Sequence, residues 1–192
     1  MKIRLSILML LLVCSTAVAA PVSYDIDPDH THPSFETDHF GGLSVWRGFF
    51  TKSHGSIVLD KTAGSGTVDV TADAASIDLG QDQVNKVVVG PDNFDAAKYP
   101  TLHYQGTLGG FVDGAPTTVT GKLTMHGVTK PLVLKILSFK CMPHPLFKRE
   151  VCGADAYGTL DRDDFGMDSG KTYGFKMQVI LRIQVEAIAR KD

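Results

Sequence analysis

Strict alternation of apolar and polar side chains near the C-terminus is the feature that most limits the folds open to this chain. Over residues 175–190 every second side chain is apolar, and those between them are mostly polar. Successive side chains of a β-strand point to opposite faces, so this period of two predicts a long strand with one apolar face. Such a length is unusual in a small sandwich and favours a barrel. The apolar face consists of Phe175, Met177, Val179, Leu181, Ile183, Val185, Ala187 and Ala189.

Shorter segments repeat this alternation along the chain. Between two of them lies Asp113-Gly114, a dipeptide typical of tight β-hairpins. Together the segments predict an all-β fold of about eight to ten strands in a single domain. The alternating segments are residues 56–60, 67–72, 101–108, 118–127 and 131–137.

Residues 82–99 break the period of two. Gly90-Pro91 would interrupt a long helix at this point, so the stretch predicts a short helix over Asp82–Val88. A second turn is expected around Asn93–Lys98. A buried strand at Val87–Val89 is the alternative interpretation of the same apolar run.

A closed antiparallel barrel is the architecture that best fits this pattern. Closure removes the exposed sheet edges that would otherwise invite aggregation. The interior of a barrel of about eight strands is either filled by its own side chains or holds one small ligand. Alternation alone leaves both interiors open.

The N-terminus has the pattern of an export signal. Lys2 and Arg4 precede a short apolar run, Leu5–Val13, and Ala17-Val18-Ala19 provides a small-residue cleavage site. The run is too short to cross a bilayer, which takes about 20 residues. The predicted organisation is a cleaved signal peptide over residues 1–19 and one mature domain over residues 20–192.

A lipid anchor is the alternative interpretation of this N-terminus. Cys14 follows a short apolar stretch, but a lipidated cysteine is expected after a small residue, and Val13 is not small. Without the signal peptide, the acidic residues outnumber the basic ones and the net charge is about −4. This charge, with no run of Lys or Arg, argues against nucleic acid or a stable membrane association as partners.

The predicted mature domain keeps two cysteines, Cys141 and Cys152. An even pair in an exported protein predicts a disulfide. The segment between them contains two prolines and a basic centre, which favours a loop between strands. A C-x-x-C redox motif is absent, so a structural role is expected.

Four stretches of the chain resemble the YceI-like family in composition and order. Their most specific elements are His30, Phe35 and His39 ahead of Gly48-x-Phe50, the tetrapeptide Ala97–Pro100, and Arg162 ahead of Phe165-Gly166. A further element is Gly121-Lys122-Leu123-Thr124 followed by Gly127-Val128-Thr129-Lys130-Pro131. The stretches cover residues 24–50, 88–106, 119–134 and 156–167.

This resemblance implies an extended, lipocalin-like antiparallel β-barrel in the bacterial periplasm. It also implies a central apolar tunnel for a polyisoprenoid or an isoprenoid quinone, a carrier or storage role without catalysis, and a homodimer. No cofactor is implied apart from such a bound lipid. The alternative is a stress-related structural or interaction barrel with a filled core and no lipid ligand.

The inward faces of the predicted strands supply the expected tunnel wall. Each buried methylene of a prenyl chain is worth about 0.8 kcal/mol, so the wall needs few polar groups. The predicted wall residues are Phe35, Ile57, Leu59, Val68, Val70, Leu102, Tyr104, Leu123, Met125, Leu132, Leu134, Ile136, Met177, Val179, Leu181 and Ile183.

Three polar residues are candidates for contact with the head group of a ligand. His30 and His39 are expected near the tunnel mouth, with a hydrogen-bonded structural histidine as the alternative. Arg162 could reach a head group, although a structural salt bridge with the aspartates at 161, 163 and 164 is favoured. Trp46, the single tryptophan, is expected at the barrel end or at a dimer contact.

Metal binding and catalysis are not predicted. A zinc site needs three or four converging ligands, and no Cys or Glu stands at a ligand spacing beside the histidines at 30, 32, 39 and 54. The sequence contains no G-x-S-x-G, P-loop, dinucleotide fingerprint or H-E-x-x-H. A lipid hydrolase or isomerase is a third hypothesis, and it would depend on His30 or His39 for turnover.

Overall fold

The computed structural model describes residues 20–191, so the predicted signal peptide and Cys14 lie outside the described residues. Within residues 20–191 the chain forms eleven β-strands, one α-helix and three short 3-10 helices. None of the helices in this range is long and apolar enough to span a membrane.

Short connections join most consecutive strands, whereas residues 79–100 and 162–177 form longer connections that contain helical turns. They are β1 (Val22–Ile26), β2 (His32–His39), β3 (Ser44–Phe50), β4 (Ser53–Asp60), β5 (Ser65–Asp73), β6 (Ile77–Asp78), β7 (Thr101–Gly109), β8 (Thr118–Met125), β9 (Val128–Pro143), β10 (Glu150–Asp161) and β11 (Gln178–Ala189). The helix α1 spans Asp82–Val88, and the 3-10 helices span Ala74–Ser76, Arg162–Phe165 and Lys171–Tyr173.

The eleven strands occupy eight positions around a closed antiparallel barrel. One edge of β11 pairs with β10, and its other edge pairs with β2 and then with β1, through Leu181↔Phe35 and Ala189↔Tyr24. β1 and β2 therefore act as one interrupted barrel strand. In the same way β3 continues into β4, and β5 into β6, because β2 pairs β3, β1 pairs β4 and β3 pairs β6. The predicted antiparallel barrel is confirmed.

Side-chain hydrogen bonds take the place of backbone hydrogen bonds between strands at the interruption between β1 and β2. Thr31, between β1 and β2, is 1% exposed. Its Oγ1 donates to the Glu186 carbonyl at 3.0 Å and accepts from the Glu186 N–H at 3.0 Å. Ser53 Oγ, at the start of β4, donates to the Thr31 carbonyl at 3.1 Å. Buried backbone groups at the interruption thus keep their partners.

The helix α1 has the bounds that the sequence predicts, and the alternative strand at Val87–Val89 is wrong. α1 lies beside β6, whose outer edge has no strand partner among the described residues. The side chain of Asn85 serves that edge: its Oδ1 accepts from the Leu79 N–H at 2.8 Å, and its Nδ2 donates to Asp78 Oδ1 at 3.0 Å. A turn follows, in which the N–H groups of Lys98 and Tyr99 donate to the Asp95 carbonyl.

The predicted hairpin at Asp113-Gly114 is confirmed. Both residues have positive φ, 51° and 78°, as a type I′ turn requires. Val112 and Ala115 exchange two backbone hydrogen bonds across the turn. The turn connects β7 with β8.

The predicted disulfide is present between facing positions of β9 and β10. Cys141 and Cys152 are cross-strand partners, with 4.0 Å between their Cα atoms. The hairpin they join extends beyond the barrel, because β9 pairs with β8 only as far as Lys135. The disulfide marks one end of the barrel, and α1 marks the other.

Candidate functional site

The barrel interior at the disulfide end contains a cavity of about 190 Å³, here called the disulfide-side cavity. Its wall draws side chains from all eight barrel positions, and nearly all of them are apolar. The alternation along each strand produces this wall, because residues two apart share the inward face. Among the lining residues are Tyr24, Ile57, Leu59, Val68, Val70, Tyr104, Leu108, Val119, Leu132, Leu134, Ile136, Cys152, Ala156, Ile183 and Ala187.

The tyrosine hydroxyls at this cavity have partners within the protein. Tyr104 Oη donates to the carbonyls of Val119 and Leu132, at 3.3 and 3.1 Å. Burial raises the pKa of Tyr104 to about 12, because the phenolate would lose its hydration. Tyr24 Oη donates to the Glu150 carboxylate, and burial, followed by this contact, raises the Tyr24 pKa. The space between the strands is thus left to apolar surface.

A second cavity of about 500 Å³, here called the helix-side cavity, lies toward α1. It is more polar than the first. Its lining includes side chains from α1 and from the connection between β10 and β11. Its lining residues are Phe35, Thr37, Asp38, His39, Trp46, Phe50, Leu79, Gln83, Val84, Val87, Val88, Asn93, Phe94, Leu102, Leu123, Met125, Leu160, Arg162, Met167, Ser169, Gly170, Phe175, Val179 and Leu181.

Five residues line both cavities, so the two are neighbours along the barrel axis. We call this set the junction, and all of its members are apolar. They come from β2, β3, β7, β8 and β11. The junction residues are Phe35, Phe50, Leu102, Leu123 and Leu181.

His39 contributes a polar ring within an aromatic group of the helix-side cavity. Its imidazole stacks on Trp46 with ring centroids 4.7 Å apart and meets Phe175 edge-on at 5.1 Å. Trp46 lies near the β2–β3 turn, so the predicted position at a barrel end is correct. Beside them, the Asp38 carboxylate accepts from the backbone N–H groups of Lys176 and Gly41, and the Lys176 contact foremost lowers the Asp38 pKa.

Arg162 lines the helix-side cavity, but the favoured salt bridge is wrong. Its guanidinium donates to two backbone carbonyls instead, from Nη1 to Met167 at 2.9 Å and from Nη2 to Ser169 at 2.6 Å. Asp163 pairs with Lys171 at 2.6 Å, which leaves Arg162 to order the loop. Burial lowers the Arg162 pKa, while Asp163 opposes this effect.

His30 lies away from both cavities, which corrects its expected position at the tunnel mouth. The side chain is 59% exposed and contacts Asp27 through Nδ1 at 2.9 Å. That contact, ahead of the general negative charge nearby, raises the His30 pKa. The residue sits in the connection between β1 and β2, where the interruption turns it outward.

Fifteen of the sixteen predicted wall residues line one or both cavities. Met177 is the exception: it is buried, yet it lines neither cavity. β11 begins at Gln178, so Met177 lies just before the strand. The lining residues are Phe35, Ile57, Leu59, Val68, Val70, Leu102, Tyr104, Leu123, Met125, Leu132, Leu134, Ile136, Val179, Leu181 and Ile183.

A further part of the wall, which the period of two does not predict, comes from α1 and its flanks. Val84, Val87 and Val88 line the helix-side cavity, together with Phe94 in the following turn. Their spacing of three and four residues was the available signal, since it places them on one face of a helix. Val87 is nevertheless 65% exposed, so this part of the wall also borders solvent.

One group of metal-ligating side chains comes together within residues 20–191, formed by Cys141, Glu150 and Cys152. The two sulfur atoms are joined to each other in the disulfide. Glu150 accepts hydrogen bonds from Lys61 Nζ, at 2.9 and 2.8 Å, and from Tyr24. Burial works to raise the Glu150 pKa, but these contacts hold it below its usual value. These contacts connect β1, the turn after β4, β9 and β10 at this end of the barrel.

The described geometry combines an apolar interior with a smaller set of polar groups at one end. Ligand sites are typically cavities of about 300–1,000 Å³ with mostly apolar walls and a few convergent polar groups. The YceI-like domain model matches residues 24–187, nearly the whole described range. The chain belongs to the YceI-like family.

Curated YceI-like relatives match this chain over almost their full length. A UPF0312 protein of Pseudomonas putida strain GB-1 is 29% identical over 184 residues, which cover 94% of this chain and 93% of that protein. Protein YceI of Escherichia coli O6:H1 is 29% identical over 185 residues, with coverage of 95% and 94%.

Solved YceI-like structures share the fold. A Campylobacter jejuni YceI protein has 25% sequence identity and a TM-score of 0.66, covering 78% of this chain and 88% of its own. A polyisoprenoid-binding domain from Saccharophagus degradans, implicated in plant cell wall breakdown, has 16% identity and a TM-score of 0.61, covering 88% and 99%. At these identities the likeness concerns the barrel.

Proposed function

We propose that this protein binds a long apolar lipid of the isoprenoid or isoprenoid-quinone type inside its barrel, as a carrier or store rather than as an enzyme. The observation that carries the proposal is the pair of neighbouring, mostly apolar cavities that share the lining residues Phe35, Phe50, Leu102, Leu123 and Leu181. The alternative of a filled core does not agree with these cavities. Membership of the YceI-like family and the fold shared with a polyisoprenoid-binding domain support the proposal.

The energetics of the cavities favour an apolar chain. An isoprene unit contains five carbon atoms, and its burial is worth about 4 kcal/mol at about 0.8 kcal/mol per carbon. Part of this gain offsets the lost freedom of the ligand, which costs several kcal/mol. A chain of a few units therefore binds without any charged contact, and the polar groups of the helix-side cavity serve to orient its head.

Two of the candidate head-group residues suit this role. His39 carries ring nitrogens in the lining of the helix-side cavity, and Arg162 carries a half-buried cation in its wall. His30, on the outer surface, is not part of the proposed site. The periplasm is the proposed location, because the N-terminal 19 residues have the pattern of an export signal.

Extraction of the purified protein tests the proposal directly. The protein is produced in a quinone-making bacterium, extracted with organic solvent, and the extract is analysed by mass spectrometry. A prenyl-tailed species in near-stoichiometric amount is the expected result. Protein that carries no such species, and takes none up from added prenyl lipids, contradicts the proposal.

A junction variant links this result to the cavities. Leu181→Trp places a larger side chain between the two cavities and is expected to reduce the extracted lipid at least tenfold. Arg182→Trp is the matched control, since Arg182 is the next residue of β11 and its side chain is 52% exposed. Circular dichroism establishes that both variants keep the barrel, and equal lipid content in the two would count against binding at the junction.

A further inference from the structure

We propose that the two cavities act as a length gauge, so that affinity rises with each isoprene unit up to about five and does not rise for longer chains. The inference rests on the proposed function and adds the size of the ligand. It depends on the volumes of the cavities, on the closure of one barrel end and on the one-sided distribution of polar groups.

The cavity volumes give the first estimate of chain length. A protein cavity of about 150 Å³ holds benzene, which corresponds to about 25 Å³ for each carbon atom. The disulfide-side cavity of about 190 Å³ then accepts about eight carbons, and the helix-side cavity of about 500 Å³ about twenty. Together they hold about five isoprene units, which is far below the length of a long-chain polyprenol.

The disulfide end of the barrel provides the stop. Tyr24 and Leu59, which line the disulfide-side cavity there, are 1% and 2% exposed. Lys61, in the turn after β4, reaches across to Glu150 on β10, which also accepts from the Tyr24 hydroxyl. The disulfide fixes β10 to β9 beside this contact. A chain entering from the helix end therefore meets a wall that contacts among β1, β4, β9 and β10 hold in place.

The polar groups define the direction in which a ligand lies. Arg162, His39, Gln83 and Asn93 belong to the lining of the helix-side cavity. Among residues 20–191, no Lys, Arg, His, Asp or Glu side chain lines the disulfide-side cavity. A polar head remains on the helix side because its burial among apolar groups is unfavourable without hydrogen-bond partners. The far end of the chain therefore points to Tyr24 and Leu59.

A series of prenyl alcohols tests the gauge. The sole tryptophan, Trp46, lines the helix-side cavity, so its fluorescence reports binding. Delipidated protein is titrated with farnesol, geranylgeraniol, geranylfarnesol and solanesol, which have three, four, five and nine isoprene units, from one cyclodextrin stock. Geranylgeraniol is expected to bind at least tenfold more tightly than farnesol, and solanesol no more tightly than geranylfarnesol. Solanesol binding tenfold more tightly than geranylfarnesol overturns the gauge while the proposed lipid-binding function stands. Binding of none of the alcohols overturns both.

Variants at the closed end move the limit in opposite directions. Leu59→Ala with Leu108→Ala removes six carbon atoms from the disulfide-side cavity, which is room for about one more isoprene unit. Ala156→Leu adds three carbons to the same cavity. The measured quantity is the ratio of the dissociation constants of hexaprenol and geranylgeraniol, and we expect it to shift at least fivefold toward hexaprenol in the first variant. In the second variant the limit falls below five units, so geranylgeraniol should gain at least fivefold on the five-unit alcohol geranylfarnesol.

Leu137→Ala is the matched control, because Leu137 is 55% exposed on β9 and lines neither cavity. It is expected to leave both ratios unchanged. Should the enlarged variant fail to fold, Ala156→Leu alone decides the question, since it fills space rather than creating it. Ratios that stay within twofold of the wild type in folded variants overturn the gauge.

Discussion

At the scale of single residues, Arg162 shows how a cation in a cavity wall also supports the loop around it. Its guanidinium holds the carbonyls of Met167 and Ser169, and burial has removed much of its hydration. Arg162→Met keeps the aliphatic part of the side chain and removes both hydrogen bonds. We expect the free energy of unfolding to fall by about 2–3 kcal/mol, because hydrogen bonds to charged groups are the stronger class. Urea denaturation measures the change.

A neighbouring cation provides the control for this prediction. Lys171 lies in the same loop and pairs with Asp163, but its side chain is 57% exposed. Lys171→Met should lower the free energy of unfolding clearly less than Arg162→Met does, because exposed ion pairs contribute little. An equal decrease in the free energy of unfolding in the two variants would show that the hydrogen bonds of Arg162 to the two carbonyls do not account for its contribution to stability.

Tyr104 gives the barrel a dependence on alkaline pH. Its folded-state pKa of about 12 lies above the value of 10 for an exposed tyrosine, because burial disfavours the phenolate. The unfolded chain therefore loses this proton first, and the stabilisation is complete below about pH 10 and is lost as the pH rises toward about 12. Tyr104→Phe should reduce the slope of stability against pH in that window.

The comparison with an exposed tyrosine isolates this effect. Tyr173 is 74% exposed, so Tyr173→Phe should leave the slope of the wild type unchanged. Unfolding free energies are measured in urea across the window for all three proteins, and lysine titration is common to them. A wild-type slope that survives in Tyr104→Phe would assign the pH dependence to other groups.

Sequence reasoning placed the wall residues better than the polar ones, and the reason is local geometry. Val70 or Leu132 faces inward because its strand neighbours fix the direction of every second side chain. His30 and Arg162 lie outside the strands, where the direction of a side chain depends on which loop packs beside it. The carbonyls of Met167 and Ser169 become partners of Arg162 only after the loop has folded.

At the scale of elements, the interrupted strands are the feature that alternation did not reveal. β1 and β2 lie along one edge of β11, and Thr31 fills the interval between them with side-chain hydrogen bonds. Thr31→Val preserves the shape of this buried side chain but leaves the Glu186 N–H without its partner. We expect a loss of about 1–3 kcal/mol in the free energy of unfolding, the cost of an unsatisfied buried group.

Thr129→Val serves as the control for Thr31. Thr129 is exposed on β9 and exchanges a hydrogen bond with Thr124 at 2.8 Å. Its replacement should change stability by less than about 0.5 kcal/mol, as surface substitutions usually do. If chemical denaturation gives the same small change for Thr31→Val, the hydrogen bonds at the interruption contribute nothing measurable.

The helix shows the limit of prediction at this scale. Its bounds follow from Gly90-Pro91 and the loss of the period of two, and the structure has the same bounds. Its place beside β6 does not follow from those residues. That place depends on Asn85 meeting the unpaired edge at Leu79, which is a contact between elements and has no local signature.

At the scale of the whole molecule, closure could be predicted but the hollow interior could not. Eight positions of alternating strands make a barrel, whereas the space left inside depends on the summed volumes of the inward side chains. Small residues such as Ala156 and Ala187 leave room that larger ones would fill. The resemblance to the YceI-like family supplied the expectation of a tunnel, and the cavities agree with it.

A ligand that fills this interior should stabilise the entire barrel. Binding to the folded state alone adds about 2.7 kcal/mol when the free ligand is at 100 times its dissociation constant. We therefore expect geranylgeraniol at that ratio to raise the unfolding midpoint of delipidated protein, measured by far-ultraviolet circular dichroism in urea. The same concentration should leave Leu181→Trp unchanged, and an equal rise in both proteins would indicate binding elsewhere.

The three interruptions all fall on one side of the wall, between β1 and β2, β3 and β4, and β5 and β6, while β7 to β11 run without a break. One half of the barrel is therefore built from continuous strands and the other half from interrupted ones. Local opening at the interruptions moves short strand segments and α1 but leaves the long strand pairs intact, so the residence time of a bound lipid depends on local opening rather than on global unfolding. Hydrogen–deuterium exchange of backbone amides should accordingly be fastest at the interruptions and slowest in β10.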